Sequence, residues 1–258
     1  MHKSLKEQLK EGEVVLGTWC TIPSSSLVDA IGSSGIDFVI LDGEHGPFDY
    51  QIAEDCVRAA EVSGATPIIR VPANEPALIL KAFDTGAIGI QVPHVSNGQQ
   101  AREVVRSAKY APLGERGYTP MTRAGKYGRD AQGHAKRSND KTMVVINIEG
   151  IEGINHLEEI IEVPALDVIF IGPYDLSQSL GIPGEVEHPK IIKKIKESAE
   201  IIRSKNIACG SYAGNERFVD ILIDCGVQYI TYDVDSDMIR RAYEQVLSKM
   251  NKRQGAFK

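Results

Sequence analysis

Glu149 closes the apolar run MVVINI, Asp175 closes VIFIGPY, Arg70 follows PII in TPIIRVP, and His45 follows two acids in DGEHGP. Glu149 and Asp175 are oxygen donors arriving singly. That suits a hard or borderline divalent cation with positions left for water and substrate, which ranks Mg or Mn above zinc. The same two acids could instead cap the helices that follow them, since carboxylates are favoured at helix N-termini. Arg70 brings a planar, permanently charged fork that suits a carboxylate or a developing enolate oxygen. Its competing use is an internal ion pair with Asp42 or Glu44. His45, flanked by turn residues, can move protons near neutral pH. Asp84, in AFDTGA, is an acid that could orient it, although a helix C-terminus is a mildly unfavourable place for a carboxylate.

An imine-forming aldolase needs a desolvated lysine projecting from a strand. None of the eight strand candidates contains one. That absence separates metal-stabilised from imine-stabilised enolate chemistry.

Those residues must be held by something, and the chain supplies a βα rhythm. Short apolar runs begin at Val14, Asp37, Thr66, Ala87, Met143, Leu166, Ile207 and Val227, each closed by Gly, Pro, Asp or Asn. Between them lie amphipathic stretches such as SSSLVDAIGSSG, YQIAEDCVRAAEVSG, PALILKAFDTG and PKIIKKIKESAEIIRSKN, most ending at or near Gly. Eight strands with intervening helices predict a closed (β/α)8 TIM barrel spanning one domain, residues 1–258. A doubly wound open sheet would carry a Gly-rich turn after its first strand, where this chain reads TIPSSS. In a barrel the site lies at the C-terminal ends of the strands. That rule collects Asp42, Glu44 and His45 from strand two, Arg70 from strand three, Asn147 and Glu149 from strand five, and Gly172, Pro173, Tyr174 and Asp175 from strand six.

Residues 113–141 break the rhythm: Gly-rich, basic and without apolar periodicity. The segment is expected to be a lid whose Arg116, Arg123, Lys126 and Arg129 meet an acidic substrate, an element reaching across an oligomer interface, or a solvated basic loop.

A net charge of −6 opposes a nucleic-acid or anionic-membrane partner, so the partner is expected to be a small molecule. No run approaches a membrane span and the N-terminus lacks a signal-peptide core, which predicts a cytoplasmic protein. Cys20, Cys56, Cys209 and Cys225 form no C-x-x-C pair and are expected to be reduced and structural.

Taken in order, the segments DGEHG, RVP, KAFDTGAIGIQVPHV, APLGERG, INIEG and IFIGPYDLSQSLGIPG resemble the HpcH/HpaI aldolase family, the pyruvate class II aldolases. The resemblance implies a barrel whose terminal helix is exchanged between subunits of a homo-oligomer, commonly a hexamer arranged as a trimer of dimers. It implies reversible cleavage of a 4-hydroxy-2-oxo acid into pyruvate, or a similar 2-oxo acid, and an aldehyde, with Mg, Mn or Co as the divalent cation. Matched by position, Glu149 and Asp175 become metal ligands, Arg70 the enolate stabiliser, and His45, steadied by Asp84, the proton-transfer group. Asp42 supports them, and the backbone at Gly172, Pro173 and Tyr174 receives the oxo acid's carboxylate. Asn147, Gly150, Tyr174 and the TPMTRAGKYG stretch depart from the family's usual residues. They leave open a Claisen-type or citrate-forming condensation on the same scaffold. A catalytically silent, oxo-acid-binding barrel is the remaining alternative.

Overall fold

Buried parallel strands are covered on both faces, so they read as nearly continuous apolar runs. All eight expected runs become strands: β1 (Val15–Cys20), β2 (Phe38–Asp42), β3 (Thr66–Arg70), β4 (Gly89–Val92), β5 (Met143–Ile148), β6 (Val168–Ile171), β7 (Ala208–Ala213) and β8 (Tyr229–Val234). Each pairs in parallel with its sequence neighbours, and β8 pairs back to β1, closing the barrel. The computed structural model describes residues 3–129 and 131–255, the side chains of 252–255 excepted.

Helices α1 (Leu5–Lys10), α2 (Ser25–Gly32), α3 (Tyr50–Ser63), α4 (Pro76–Asp84) and α5 (Gly98–Ala108) lie in the first half. The second half carries α6 (His134–Lys141), α7 (Ile151–Asn155), α8 (Leu157–Ile160), α9 (Pro173–Ser179), α10 (Pro189–Arg203), α11 (Glu216–Asp224) and α12 (Asp235–Gly255). Their starts follow local chemistry: Ser24, Asp49, Asn97 and Asn215 each accept a first-turn backbone N–H, while Pro76 and Pro189 occupy first helical positions.

Alternation along each strand divides the core. Val39, Leu41, Ile69, Ile90 and Ile146 face the helices, whereas Phe38, Ile40, Ile68, Val145 and Tyr229 fill the barrel. Phe38 stacks on Tyr229 with ring centroids 4.1 Å apart. Gly17 makes that stack possible, because a Cβ there would meet the Phe38 ring at 2.2 Å. The same parity has a consequence for the mouth. Counting in twos from the inward residues Phe38, Ile68, Val145 and Ala208 brings Asp42, Arg70, Asn147 and Tyr212 inward as well.

The segment 113–141 differs from expectation in two ways. It contains a 3-10 turn (Arg123–Gly128) and α6, so it is not irregular throughout. It also lies at the foot of the barrel: α5 runs back from the mouth and β5 starts at the foot, so the connection between them stays there. Arg123 accordingly donates to Thr85 O at 3.0 Å, beside the start of β4. Within one chain the segment is no lid, and Arg116 and Arg123 are engaged by Asp84 and Glu61.

Helix α12 is anchored by its first residue, whose carboxylate accepts from Thr21 N and Ile22 N at 3.0 Å each. From residue 242 to 251 every residue is exposed, including Tyr243, Val246, Leu247 and Met250 on one helical stripe. The helix leaves its own barrel uncovered. The four cysteines are buried and unpaired, and burial raises their thiol pKa values, to about 11 at Cys56 and about 12 at Cys209. They pack as small apolar residues. No helix among the described residues is long and apolar enough to cross a membrane.

Candidate active site

Asp42 and Arg70 are cross-strand partners in the β2–β3 register. Arg70 Nε donates to Asp42 Oδ1 at 2.8 Å and Nη2 to Oδ2 at 2.6 Å, while Nη1 lies 2.8 Å from Glu44 Oε2. The guanidinium rests over the Trp19 ring at 4.3 Å. The ion pairs foreseen as the alternative use of Arg70 are therefore present, and both acids share it. Asp42 also shapes the turn after β2: its Oδ1 accepts from Glu44 N at 3.1 Å and His45 N at 3.2 Å, leaving the His45 ring exposed on the cavity.

A second polar chain rises through the barrel axis. The Tyr229 hydroxyl donates to Gln91 Oε1 at 3.4 Å, Gln91 Nε2 to Asn147 Oδ1 at 2.7 Å, and Asn147 Nδ2 to Glu149 Oε1 at 3.0 Å. It fixes the Glu149 carboxylate, whose pKa burial raises above the usual value against the pull of the Asn147 hydrogen bond. Glu149 Oε2 meets His94, whose Nδ1 lies 2.5 Å away and whose Nε2 lies 3.1 Å from Glu44 Oε1. His94 sits in the left-handed region at φ 58°, which turns its ring back over the mouth.

Asp175 is exposed in the first turn of α9. Gly150 and Gly172, not the acids, are the N-caps of α7 and α9 and make no side-chain cap; Glu149 precedes α7, while Asp175 occupies the first turn of α9, where a carboxylate is favoured. A Cβ on Gly172 would lie 3.4 Å from Glu149 Cγ and 3.8 Å from Asp175 Oδ2, so the glycine keeps open the space between the two carboxylates. Among the described residues no three His, Cys, Asp or Glu side chains form a metal cage. The half-buried Glu149 and the exposed Asp175 across that space are the donors suited to a divalent cation.

Asp42, His45, Arg70, Asn147, Glu149 and Asp175 line a cavity of about 450 Å³ at the C-terminal ends of the strands. Comparison with known proteins gives its chemistry. The sequence profile of the HpcH/HpaI aldolase/citrate lyase family matches residues 16–242. A Pseudomonas putida 2-dehydro-3,6-dideoxy-6-sulfogluconate aldolase is 33% identical over 95% of this chain and 96% of its own length. An Escherichia coli 4-hydroxy-2-oxo-heptane-1,7-dioate aldolase is 30% identical over 100% and 98%. The chain belongs to the HpcH/HpaI aldolase/citrate lyase family. The crystal structure of a family protein from Burkholderia cenocepacia J2315 superposes with a TM-score of 0.91 at 29% identity, covering 96% of this chain and 98% of that one. The chain is a carbon–carbon lyase of the aldolase type.

Of the residues that the sequence singled out, Asp42, His45, Arg70, Asn147 and Glu149 line the cavity from one side, and Gly172, Pro173, Tyr174 and Asp175 from the next. Asp84 does not join them. Helix α4 runs down the outside of the barrel, so its last residue is at the foot, and its carboxylate accepts from Arg116 Nη2 at 3.0 Å instead of meeting His45 within the chain. Reading the sequence also missed His94, Gln91, Trp19 and Tyr212. His94 ends the fourth apolar run just as Glu149 ends the fifth, so the strand-end rule carried the signal. Gln91, Trp19 and Tyr212 follow from strand parity.

Proposed function

We propose that this aldolase cleaves 4-hydroxy-2-oxo acids reversibly into pyruvate, or a similar 2-oxo acid, and an aldehyde, using Mg, Mn or Co held by Glu149 and Asp175. The observation that carries the reading is the placement of Arg70, locked on Asp42 and Glu44, on the same cavity as the two carboxylates flanking Gly172. A divalent cation there would polarise the 2-oxo group and offset charge on the enolate.

The chain's own residues divide the remaining work. Arg70, with one face on Trp19 and its donors fixed in direction, presents positive charge to the enolate oxygen without reorganising. The first-turn N–H groups of Tyr174 and Asp175 have no acceptor within α9 and suit the oxo acid's carboxylate. The His45 ring lines the cavity, its backbone N–H held by Asp42, and in this reading it takes the proton of the C4 hydroxyl. As that proton leaves, the C3–C4 bond breaks, its electron pair forms the enolate and the aldehyde departs. A proton delivered to C3 then completes pyruvate.

The assembly we propose is a homo-oligomer, a trimer of dimers as the resemblance implies, with α12 exchanged between subunits. Its support is the exposed apolar stripe of α12 together with Leu113, Tyr118, Met121 and Tyr127 exposed at the foot.

Chelator-treated enzyme is expected to lose retro-aldol activity on a 4-hydroxy-2-oxo acid and to regain it with Mg, Mn or Co. Borohydride with pyruvate is expected to leave no covalent adduct. Full activity in strong chelator would overturn the metal assignment, and a mass increase on any lysine would replace it with imine chemistry.

A further inference from the structure

The two oxygens of Glu149 keep different company. Oε2 is turned to the mouth, where it meets His94, and Oε1 is turned into the barrel, where Asn147 Nδ2 donates to it at 3.0 Å. A carboxylate only accepts, and that decides the order of everything beneath it. Asn147 has to present its amide N–H to Glu149, which leaves its Oδ1 for Gln91. Gln91 has to answer with Nε2, at 2.7 Å, and so keeps Oε1 for Tyr229, whose hydroxyl donates at 3.4 Å. Burial raises the Tyr229 pKa well above its ordinary value, so the hydroxyl holds the proton that this order requires. All three bonds therefore run one way, and each dipole turns its positive end toward Glu149.

Gln91 and Tyr229 are fully buried and line no part of the cavity. The Tyr229 ring is fixed by its stack on Phe38, and Gln91 is the cross-strand partner of Arg70 on one side and Val145 on the other. An amide is expensive to bury among apolar side chains such as Ile68 and Val145, where methionine would fill the same space without needing a partner. The column stands inside one closed barrel, so a neighbouring subunit does not reach it.

We propose that Gln91 and Tyr229 are positioning residues for the metal-binding carboxylate, orienting Glu149 through Asn147 and so setting the affinity for the divalent cation while touching neither cation nor substrate. The inference rests on the reading of Glu149 as a metal ligand made above. Hydrogen-bond partners behind a ligand act in this way, by fixing the direction in which its lone pairs point.

Binding of Mn to the metal-stripped full chain, without substrate, tests the column, with the EPR signal of free Mn counting the unbound metal. Gln91→Met keeps the volume, removes two of the three bonds and frees the Asn147 amide to turn; Kd is expected to rise about tenfold, the lower end for loss of such a partner. Tyr229→Phe keeps the ring stack and removes one distant neutral bond, so about a threefold rise is expected. Added to Gln91→Met, it should raise Kd no further, because the column is already broken. Ile68→Val, at another inward position, is the packing control: it should lower the denaturation midpoint and leave Kd unchanged.

A Gln91→Met Kd within about twofold of the wild type overturns the inference, as does an Ile68→Val protein weakened as much as Gln91→Met. Tyr229→Phe acting equally in both backgrounds also overturns it. If Gln91→Met does not fold, Tyr229→Phe decides against Ile68→Val, and equal Kd values in those two reject the column. A wild type that binds no Mn, or a Glu149→Gln variant that binds it as tightly as the wild type, is a different result: it removes the metal reading itself, and the inference with it.

Discussion

The barrel places two arginines among the same kinds of partner at opposite ends. At the mouth Arg70 pairs with Asp42 and Glu44 and rests one face on Trp19. At the foot Arg116 pairs with Asp84 and is enclosed between Phe83, 4.7 Å away, and Tyr110, 4.6 Å away. The Arg70 side chain keeps 11% of its surface and lines the cavity; that of Arg116 keeps 1%, and its Nε is buried without a hydrogen-bond partner among the described residues. Burial lowers the pKa of Arg116, so its charge is carried against desolvation. A guanidinium with one face on a ring and an edge on a cavity can meet a changing charge. One covered on both faces can only hold structure together.

Truncation at the foot gives the largest expected effect. Arg116→Met fills much of the volume between the two rings but strands the Asp84 carboxylate, and should lower unfolding free energy by about 3 kcal/mol. That is the low end for a broken buried pair, because Asp84 keeps 25% of its side-chain surface. The denaturation midpoint measures it; a shift worth under about 1 kcal/mol would mean that the ring sandwich, not the ion pair, holds the foot together.

At the mouth the loss should appear in rate. Arg70→Lys keeps the charge but replaces a planar fork with a point, so kcat should fall about a hundredfold, roughly 2.7 kcal/mol of barrier, with a smaller change in metal affinity. Its midpoint should move less than that of Arg116→Met. A nearly fully active, metal-loaded Arg70→Lys would falsify the enolate role and make the two arginines alike.

The contrast also marks where the sequence is legible. Strands buried on both faces leave unbroken apolar runs, so all eight, and the polar residues that close them, stand out in the primary structure. Parity then selects which of those residues point inward. The foot is harder to read, because both ends of a helix lie close in sequence to strands while only one lies near the mouth. Asp84, 14 residues after Arg70, looks like a neighbour of His45 until the direction of α4 is followed. The same reasoning moves residues 113–141 from mouth to foot. His94 needed a left-handed backbone, which no residue type in VPHV announces.

Asp84→Asn carries the smallest expected effect and isolates the foot pair. Asparagine keeps an oxygen for Arg116 Nη2 while removing the charge, so the bond remains but loses its charge assistance, about 1.5 kcal/mol of stability. If that loss comes from Arg116 alone, the same substitution made in Arg116→Met should cost under about 0.5 kcal/mol, because no cation is then left to miss the carboxylate. The four proteins form a double-mutant cycle read from denaturation midpoints, with a coupling of about 1 kcal/mol expected. Zero coupling would mean that Asp84 is held by something other than Arg116. The assignment of this acid to the foot would then lose its energetic basis, and its place beside His45, foreseen from its position in AFDTGA, would have to be sought across a subunit boundary.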